Sequence, residues 1–227
     1  MKQFLSKIHL FKGLPEKEYD FLEQHSQQKK LEKNDTIFEK GGAPDHLYVL
    51  KEGKVKLFDE RKITQREEII QVFSAEDVLD LASLFNQQPY PLSAQALESG
   101  EIISFPVSSL RELTDRSQIF LQNAADLLAK TTYELIEGMS DLSLSTTKER
   151  LAKYLLKEYH QQKSARSFRL PLNQSQIASH LGTVREIVSR DLASLKKARV
   201  IESNQGQIAV LNPEELSHIA EGYSFHA

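Results

Sequence analysis

Residues 172–199, LNQSQIASHLGTVREIVSRDLASLKKAR, constrain the fold more than any other part of the chain. Two apolar-periodic segments meet there at a single glycine. Asn173 stands at a helix-capping position with Gln176 three residues on, the spacing of a capping box. Ile177 and Leu181 recur at i and i+4, giving a first helix over about Gln174–His180 an inward face. Gly182 follows, where a left-handed backbone costs glycine little. Thr183 offers a hydroxyl three residues before Glu186, so a second helix is expected from about Val184, with Thr183 and Glu186 spaced for capping. Ile187, Val188, Leu192 and Leu195 supply its buried side. Arg185, Glu186, Ser189 and Arg190 fall on the other side, toward its N-terminal half. Two readings fit this pattern: a surface hairpin with its charges in water, or a helix-turn-helix whose second helix meets base edges in a DNA groove.

Net charge decides little until it is divided. The whole chain carries −3, which does not suit a nucleic-acid binder. From Ser143 to Ala227 there are 12 Lys and Arg against 8 Asp and Glu, giving +4. The remainder has 17 against 24, giving −7. A basic C-terminal part beside an acidic N-terminal part suggests that only the former touches nucleic acid.

The flanking sequence supplies a setting for the hairpin. Pro15 to about Gln27 reads as a short helix. From Lys29 onward, short apolar runs alternate with turns. Strands are expected at Thr36–Phe38, His46–Lys51, Lys54–Phe58, Glu67–Phe73, Leu92–Leu97 and Glu101–Pro106, forming a small sandwich or roll. A short helix is expected at Val107–Thr114. A long one over Ser117–Leu142 carries Leu121, Leu128, Leu135 and Leu142 spaced by seven, with Ala125, Thr132 and Met139 four after the first three. This is an a/d-like seam, suited to pairing with a second copy or to packing on the roll. Asp141–Ser145 is the expected hinge. Thr146 and Glu149 form another capping box, opening a helix to about His160. His160 to Ser167 is expected as a loop, and Phe168–Leu170 as a short strand. After the hairpin, Val200–Glu202 and Gln207–Leu211 flank Ser203-Asn204-Gln205-Gly206 as a β-hairpin wing. A last short helix starts near Asn212.

A β-roll, a long pairing helix and a C-terminal winged helix-turn-helix, in this order, resemble the CRP/FNR family of bacterial transcription regulators. The most specific stretch is GTVREIVSRDLASLKKARVI, from Gly182. Gly41 and the Glu52-Gly53 turn fall where that family's roll has glycines. The resemblance implies an α+β fold with a cyclic-nucleotide-type double-stranded β-helix (jelly roll) over 1–116, a dimerisation helix over 117–142 and a winged helix-turn-helix over 143–227. It implies a homodimer on double-stranded DNA, with an inverted repeat of TGA-like half-sites and RNA polymerase as a further partner. By position, Arg185 and Arg190 would contact guanines, Glu186 a cytosine amino group and Ser189 a thymine or phosphate. Thr183, Lys196, Lys197 and Arg199 join the expected DNA-contacting set, the three basic residues as phosphate contacts. Glu186 has a competing role as the capping partner of Thr183.

The signal is less legible. Members that bind cyclic nucleotides carry Gly-Glu and Arg-Ser in the roll. Here Asp80-Leu81 and Leu92-Ser93 occupy those positions, so the expected effector-pocket residues include a like charge and no phosphate partner. cAMP and cGMP are therefore not expected. The absence of Cys excludes disulfides, thiolate-held iron–sulfur clusters and Cys-based zinc sites. Haem sensing of NO or CO, a small organic or anionic ligand, and control by abundance alone stay open. Haem ligands would come from His9, His25, His46, His160, His180, His218, His226 or Met139, none at a diagnostic spacing. A cupin-type metal site would need several His on one metal, and the roll offers His46 alone. No P-loop, dinucleotide motif or nucleophile elbow is present, so no enzyme is expected. Without a signal-peptide pattern or a long apolar run, a cytoplasmic protein without a membrane span is expected. A different class, in which the winged helix contacts protein, also remains.

Overall fold

The structure is a computed structural model and describes residues 1–61, 66–162, 167–204 and 207–223. The chain opens with α1 (Lys2–Leu5), a 3-10 turn (His9–Phe11) and α2 (Glu16–His25). Among the described residues, eight strands follow: β1 (Gln27–Leu31), β2 (Thr36–Phe38), β3 (His46–Glu52), β4 (Val55–Arg61), β5 (Arg66–Phe73), β6 (Val78–Leu79), β7 (Ser93–Ala96) and β8 (Gly100–Pro106). A short helix α3 (Leu81–Asn86) lies between β6 and β7. The strands form two antiparallel sheets, ordered β1-β8-β3-β6 and β2-β7-β4-β5.

Side-chain alternation along β3 and β8 divides the core of this roll in two. Leu47, Val49, Ile103 and Phe105 join Leu5, Ile8, Leu10, Phe11 and Leu22 of the N-terminal segment. Leu50 and Ile102 join Phe38, Val55, Leu57, Leu79 and Tyr90, drawn from both sheets. Gly100 is required by close approach, because a Cβ there would lie 2.1 Å from the carbonyl oxygen of Glu52.

Next come α4 (Val107–Arg116), α5 (Gln118–Leu144) and α6 (Thr147–Gln161). The C-terminal region adds β9 (Phe168–Arg169), α7 (Gln174–His180), α8 (Arg185–Lys197), β10 (Ile201–Asn204), β11 (Gln207–Val210) and α9 (Pro213–Ala220). Strands β10, β11 and β9 form a three-stranded antiparallel sheet. The chain divides into two compact units, Met1–Glu134 and Leu135–Ala227, with the division inside α5. The second has its own core, built from Leu151, Leu155, Ile177, Val188, Leu195, Ile201, Ile208 and Leu216. No described helix is long and apolar enough to cross a membrane.

Several elements depart from the sequence expectation. Strand β1 was not anticipated, because QQKKL is exposed at its first four positions and shows no alternation; its pairing with β8 holds it. Helix α5 continues to Leu144, so most of the expected hinge at 141–145 is helical. The amide of Ser145 still donates to the carbonyl of Asp141 over 3.0 Å. Chain direction changes at Ser145 and Thr146, where the capping box on Glu149 starts α6. The expected wing turn residues Gln205 and Gly206, and the loop positions 163–166, lie outside the described residues.

Candidate nucleic-acid interface

Both local signals at the start of the hairpin are realised. The Asn173 side chain accepts from the Gln176 amide and the Gln176 side chain accepts from the Asn173 amide, each at 3.0 Å. Ile177 and Ala178 are buried beneath α7. Gly182, at φ +63°, ends that helix. Its amide donates to Ser179 O and the Thr183 amide to Ala178 O, the paired bonds of a Schellman motif. A Cβ on residue 182 would lie 3.1 Å from Cδ2 of Leu142, a close contact that adds to the preference for glycine set by the positive φ.

Helix α8 buries Val188, Leu192 and Leu195, with Ile187 half-buried. Arg185, Glu186, Ser189 and Arg190 are exposed together and, with Ala193, line an open concavity of about 510 Å³. The side chains of Arg185 and Glu186 make no hydrogen bond or ion pair with another described residue. Arg190 is partly held, its Nε 3.5 Å from the carboxylate of buried Asp191. The first turn of α8 differs from the sequence expectation. Its N-cap is Val184, with no side-chain capping bond. The Thr183 amide donates to Ala178 O, which leaves it unavailable to the Glu186 carboxylate, and the expected Thr183–Glu186 cap is not formed. Glu186 is thereby left to the exposed face.

The far end of α8 closes with the same backbone device but a different residue. Arg199 sits at φ +56°, with its amide on Lys196 O and that of Val200 on Leu195 O, each at 3.0 Å. Arg199 and Lys197 are exposed. Lys196 is exposed as well, but its Nζ donates to Ser203 O over 3.1 Å, tying α8 to the first wing strand. That bond gives Lys196 a structural role that the sequence did not suggest.

A further set of polar contacts supports the hairpin from α6. Arg150 donates through Nε to Leu181 O at 3.1 Å and through Nη1 to Ser145 O at 2.5 Å. Asp141 Oδ1 accepts from the Ser145 hydroxyl at 3.2 Å and from Lys153 Nζ at 2.5 Å. None of these residues was singled out from sequence for such contacts, since Arg150 reads as part of an ordinary amphipathic helix.

Along α5, Leu121, Ala125, Thr132, Leu135, Met139 and Leu142 are exposed. Leu128 is half-buried and packs toward the N-terminal core cluster. Ile136 and Tyr133 are also exposed, at 57 % and 71 %, and widen the apolar surface beyond the heptad seam.

Of the four effector-pocket positions, Leu81 and Leu92 belong to different core clusters. Asp80 precedes α3 in the left-handed region, at φ 52°, and accepts from the Ser83 hydroxyl. Burial raises its carboxyl above the usual carboxylate range, opposed by the Ser83 side-chain and backbone hydrogen bonds. Leu81 packs in the cluster against the N-terminal helices. Leu92 instead packs against the cluster of Phe38 and Tyr90, whose rings stack at 4.0 Å. The Tyr90 hydroxyl donates to His46 O at 2.8 Å, and burial holds it protonated. Ser93 accepts the Lys40 amide at 3.0 Å. The Phe38 and Tyr90 rings thus occupy the side of the cluster against which Leu92 packs.

The histidines considered as haem ligands are spread along the chain: His9 in the 3-10 turn, His25 in α2, His46 in β3, His160 in α6, His180 in α7 and His218 in α9. Met139 is in α5, and His226 lies outside the described residues. No group of three or more His, Cys, Asp or Glu among the described residues could hold a metal ion.

Comparison with known proteins agrees with this architecture at both ends. A cyclic nucleotide-binding domain model matches residues 28–117, and a Crp-like helix-turn-helix domain model matches residues 149–219. The fumarate and nitrate reduction regulatory protein of Escherichia coli is 28% identical over 218 residues, covering 91% of this chain and 84% of that protein. The cyclic AMP receptor protein of Thermus thermophilus is 27% identical over 213 residues, covering 94% and 97%. Among solved structures, FixK2 from Bradyrhizobium japonicum superposes with a TM-score of 0.76 at 24% identity, covering 89% of this chain and 99% of that one. With both domain models matched in order along the chain, it belongs to the CRP/FNR family of transcription regulators with a helix-turn-helix DNA-binding domain.

Proposed function

We propose that the protein acts as a homodimer, paired through the exposed face of α5, on an inverted repeat of TGA-like half-sites about one helical turn apart. One observation carries this reading: Arg185, Glu186, Ser189 and Arg190 project together from α8, and their apolar neighbours on the helix face the domain core. Arg190 and Arg185 suit the two major-groove acceptors of guanine, Glu186 a cytosine amino group, and Ser189 a thymine or phosphate. Lys197 and Arg199 would meet phosphates, and regulation of transcription makes RNA polymerase the expected protein partner.

The test is site selection from random duplexes, followed by binding of Arg190→Ala to the selected and a scrambled duplex. A loss of about 1–3 kcal/mol on the selected duplex alone supports base reading. An equal loss on both rejects it. A salt titration separates this reading from a protein-binding winged helix, because phosphate contacts make affinity fall steeply with log salt.

The signal received by the roll is, in this reading, not a cyclic nucleotide. The charge of Asp80 and the packing of Leu92 against the Phe38–Tyr90 stack support this. Calorimetry with cAMP is expected to show no micromolar binding, and such binding would overturn the inference. Haem is tested by the absorption spectrum of the purified protein with and without added haem, where a stoichiometric Soret band would assign it.

A further inference from the structure

Among the described residues of the 172–199 hairpin, Val184 is the one large apolar side chain that is exposed, at 53 %. It directly precedes α8 in extended backbone (φ −114°, ψ 153°), next to Arg185 and Glu186. Folding does not account for a valine at this place. Its side chain is not in the core, and it is a poor residue for starting a helix. Thr146, Asn173 and Asn212 cap α6, α7 and α9 with side-chain oxygens. Val184 contributes only its backbone carbonyl, which accepts from Ile187 and Val188.

The chemistry of the major groove does account for it. The thymine C5-methyl is the apolar group that base edges present there, and small apolar side chains meet it. Apart from Ala193, further along the helix, the rest of the reading face carries charges and a hydroxyl. Val184 adds an apolar contact at its leading edge. We propose that Val184 is a specificity residue whose γ-methyl groups contact a thymine methyl beside the bases read by Arg185 and Glu186. This rests on the DNA-reading assignment above and deepens it.

The test removes one methyl at a time from each partner. In the selected duplex, each thymine of a half-site is replaced in turn by uracil, which keeps every hydrogen-bonding group. Binding of the full chain is measured by fluorescence anisotropy. Wild type is expected to bind about fourfold more weakly to one uracil duplex per half-site, the scale of transferring a single methyl group. Val184→Ser is expected to bind the thymine and uracil duplexes equally. Serine is a competent cap, so this variant keeps its fold, which a thermal melt checks. Arg190→Ala, by contrast, is expected to keep the thymine-to-uracil ratio.

Insensitivity of wild type to every uracil replacement overturns the proposal, and so does an unchanged ratio in Val184→Ser. If wild type selects no preferred duplex, the DNA-reading assignment itself fails and takes this one with it. A selected site with no methyl dependence removes the role of Val184 alone.

Discussion

The Nε of Arg150, at the start of α6, donates to the carbonyl of Leu181 at the end of α7 over 3.1 Å. The same guanidinium reaches Ser145 O, so one side chain joins the α5–α6 corner to the helix-turn-helix. Helix ends leave carbonyls without intrahelical partners, and a planar cation with several donors serves more than one of them. Arg150→Ala leaves these carbonyls without their donor. Urea unfolding is expected to show a loss of about 2 kcal/mol, the scale of hydrogen bonds to charged groups. Arg150→Lys is expected to recover only part of it. Equal stability of all three proteins would show that water replaces the arginine.

Arg199 holds a backbone conformation that glycine adopts more cheaply. Arg199→Gly is expected to stabilise the protein by about 0.5–1 kcal/mol in urea unfolding. The same change removes an exposed cation beside the reading helix. Affinity should fall to a similar degree on selected and scrambled duplexes, with the salt slope reduced by about 1. Stabilisation without any change in salt slope would remove Arg199 from the phosphate-contacting set.

Met139 is 70 % exposed within the apolar α5 surface. Met139→Glu places two like charges across a two-fold seam, where desolvation and repulsion oppose pairing. Sedimentation equilibrium is expected to show self-association weakened at least about tenfold, equivalent to about 1.4 kcal/mol. The far-UV spectrum of each chain should stay unchanged. A variant that dimerises as wild type does would place the interface elsewhere.

Burial raises the carboxyl of Asp80 in the folded state, against the hydrogen bonds from Ser83. Folding therefore favours the protonated form. The associated stability is present below the ordinary aspartate pKa of about 3.9 and is lost as pH rises through the folded value. Asp80→Asn keeps an acceptor for Ser83 and tolerates the left-handed backbone. The variant is expected to be more stable than wild type at pH 7, with the difference closing below about pH 4. A difference that widens toward low pH would reverse the assigned direction.

What the sequence disclosed followed how local each signal was. The capping boxes at Thr146 and Asn173 depend on residues three apart, and both formed as expected. Gly182 was legible because a left-handed helix end selects for glycine. The cap of α8 was misread for a tertiary reason. Thr183 is the better capping residue by type, but it is the residue whose amide closes α7, and the cap of α8 falls on Val184. Strand β1 was invisible because its partners lie about seventy residues or more away, with Gln27 opposite Ser104. The Arg150 contacts depend on backbone carbonyls, which no side-chain pattern encodes. The effector positions were legible as departures from a family pattern. Their separation into two cores depends on side-chain direction in the folded roll.

That separation limits redesign. Grafting a nucleotide receptor onto this chain would call for an acid at position 81 and a base at position 92. A carboxylate at 81 would enter the cluster that holds Val49 and Leu84 and would lack a counter-ion there. A guanidinium at 92 would meet stacked aromatic rings where a phosphate needs room. Changing ligand class in this scaffold therefore starts with the Phe38–Tyr90 stack, the two side chains to shorten before position 92 can take a cation.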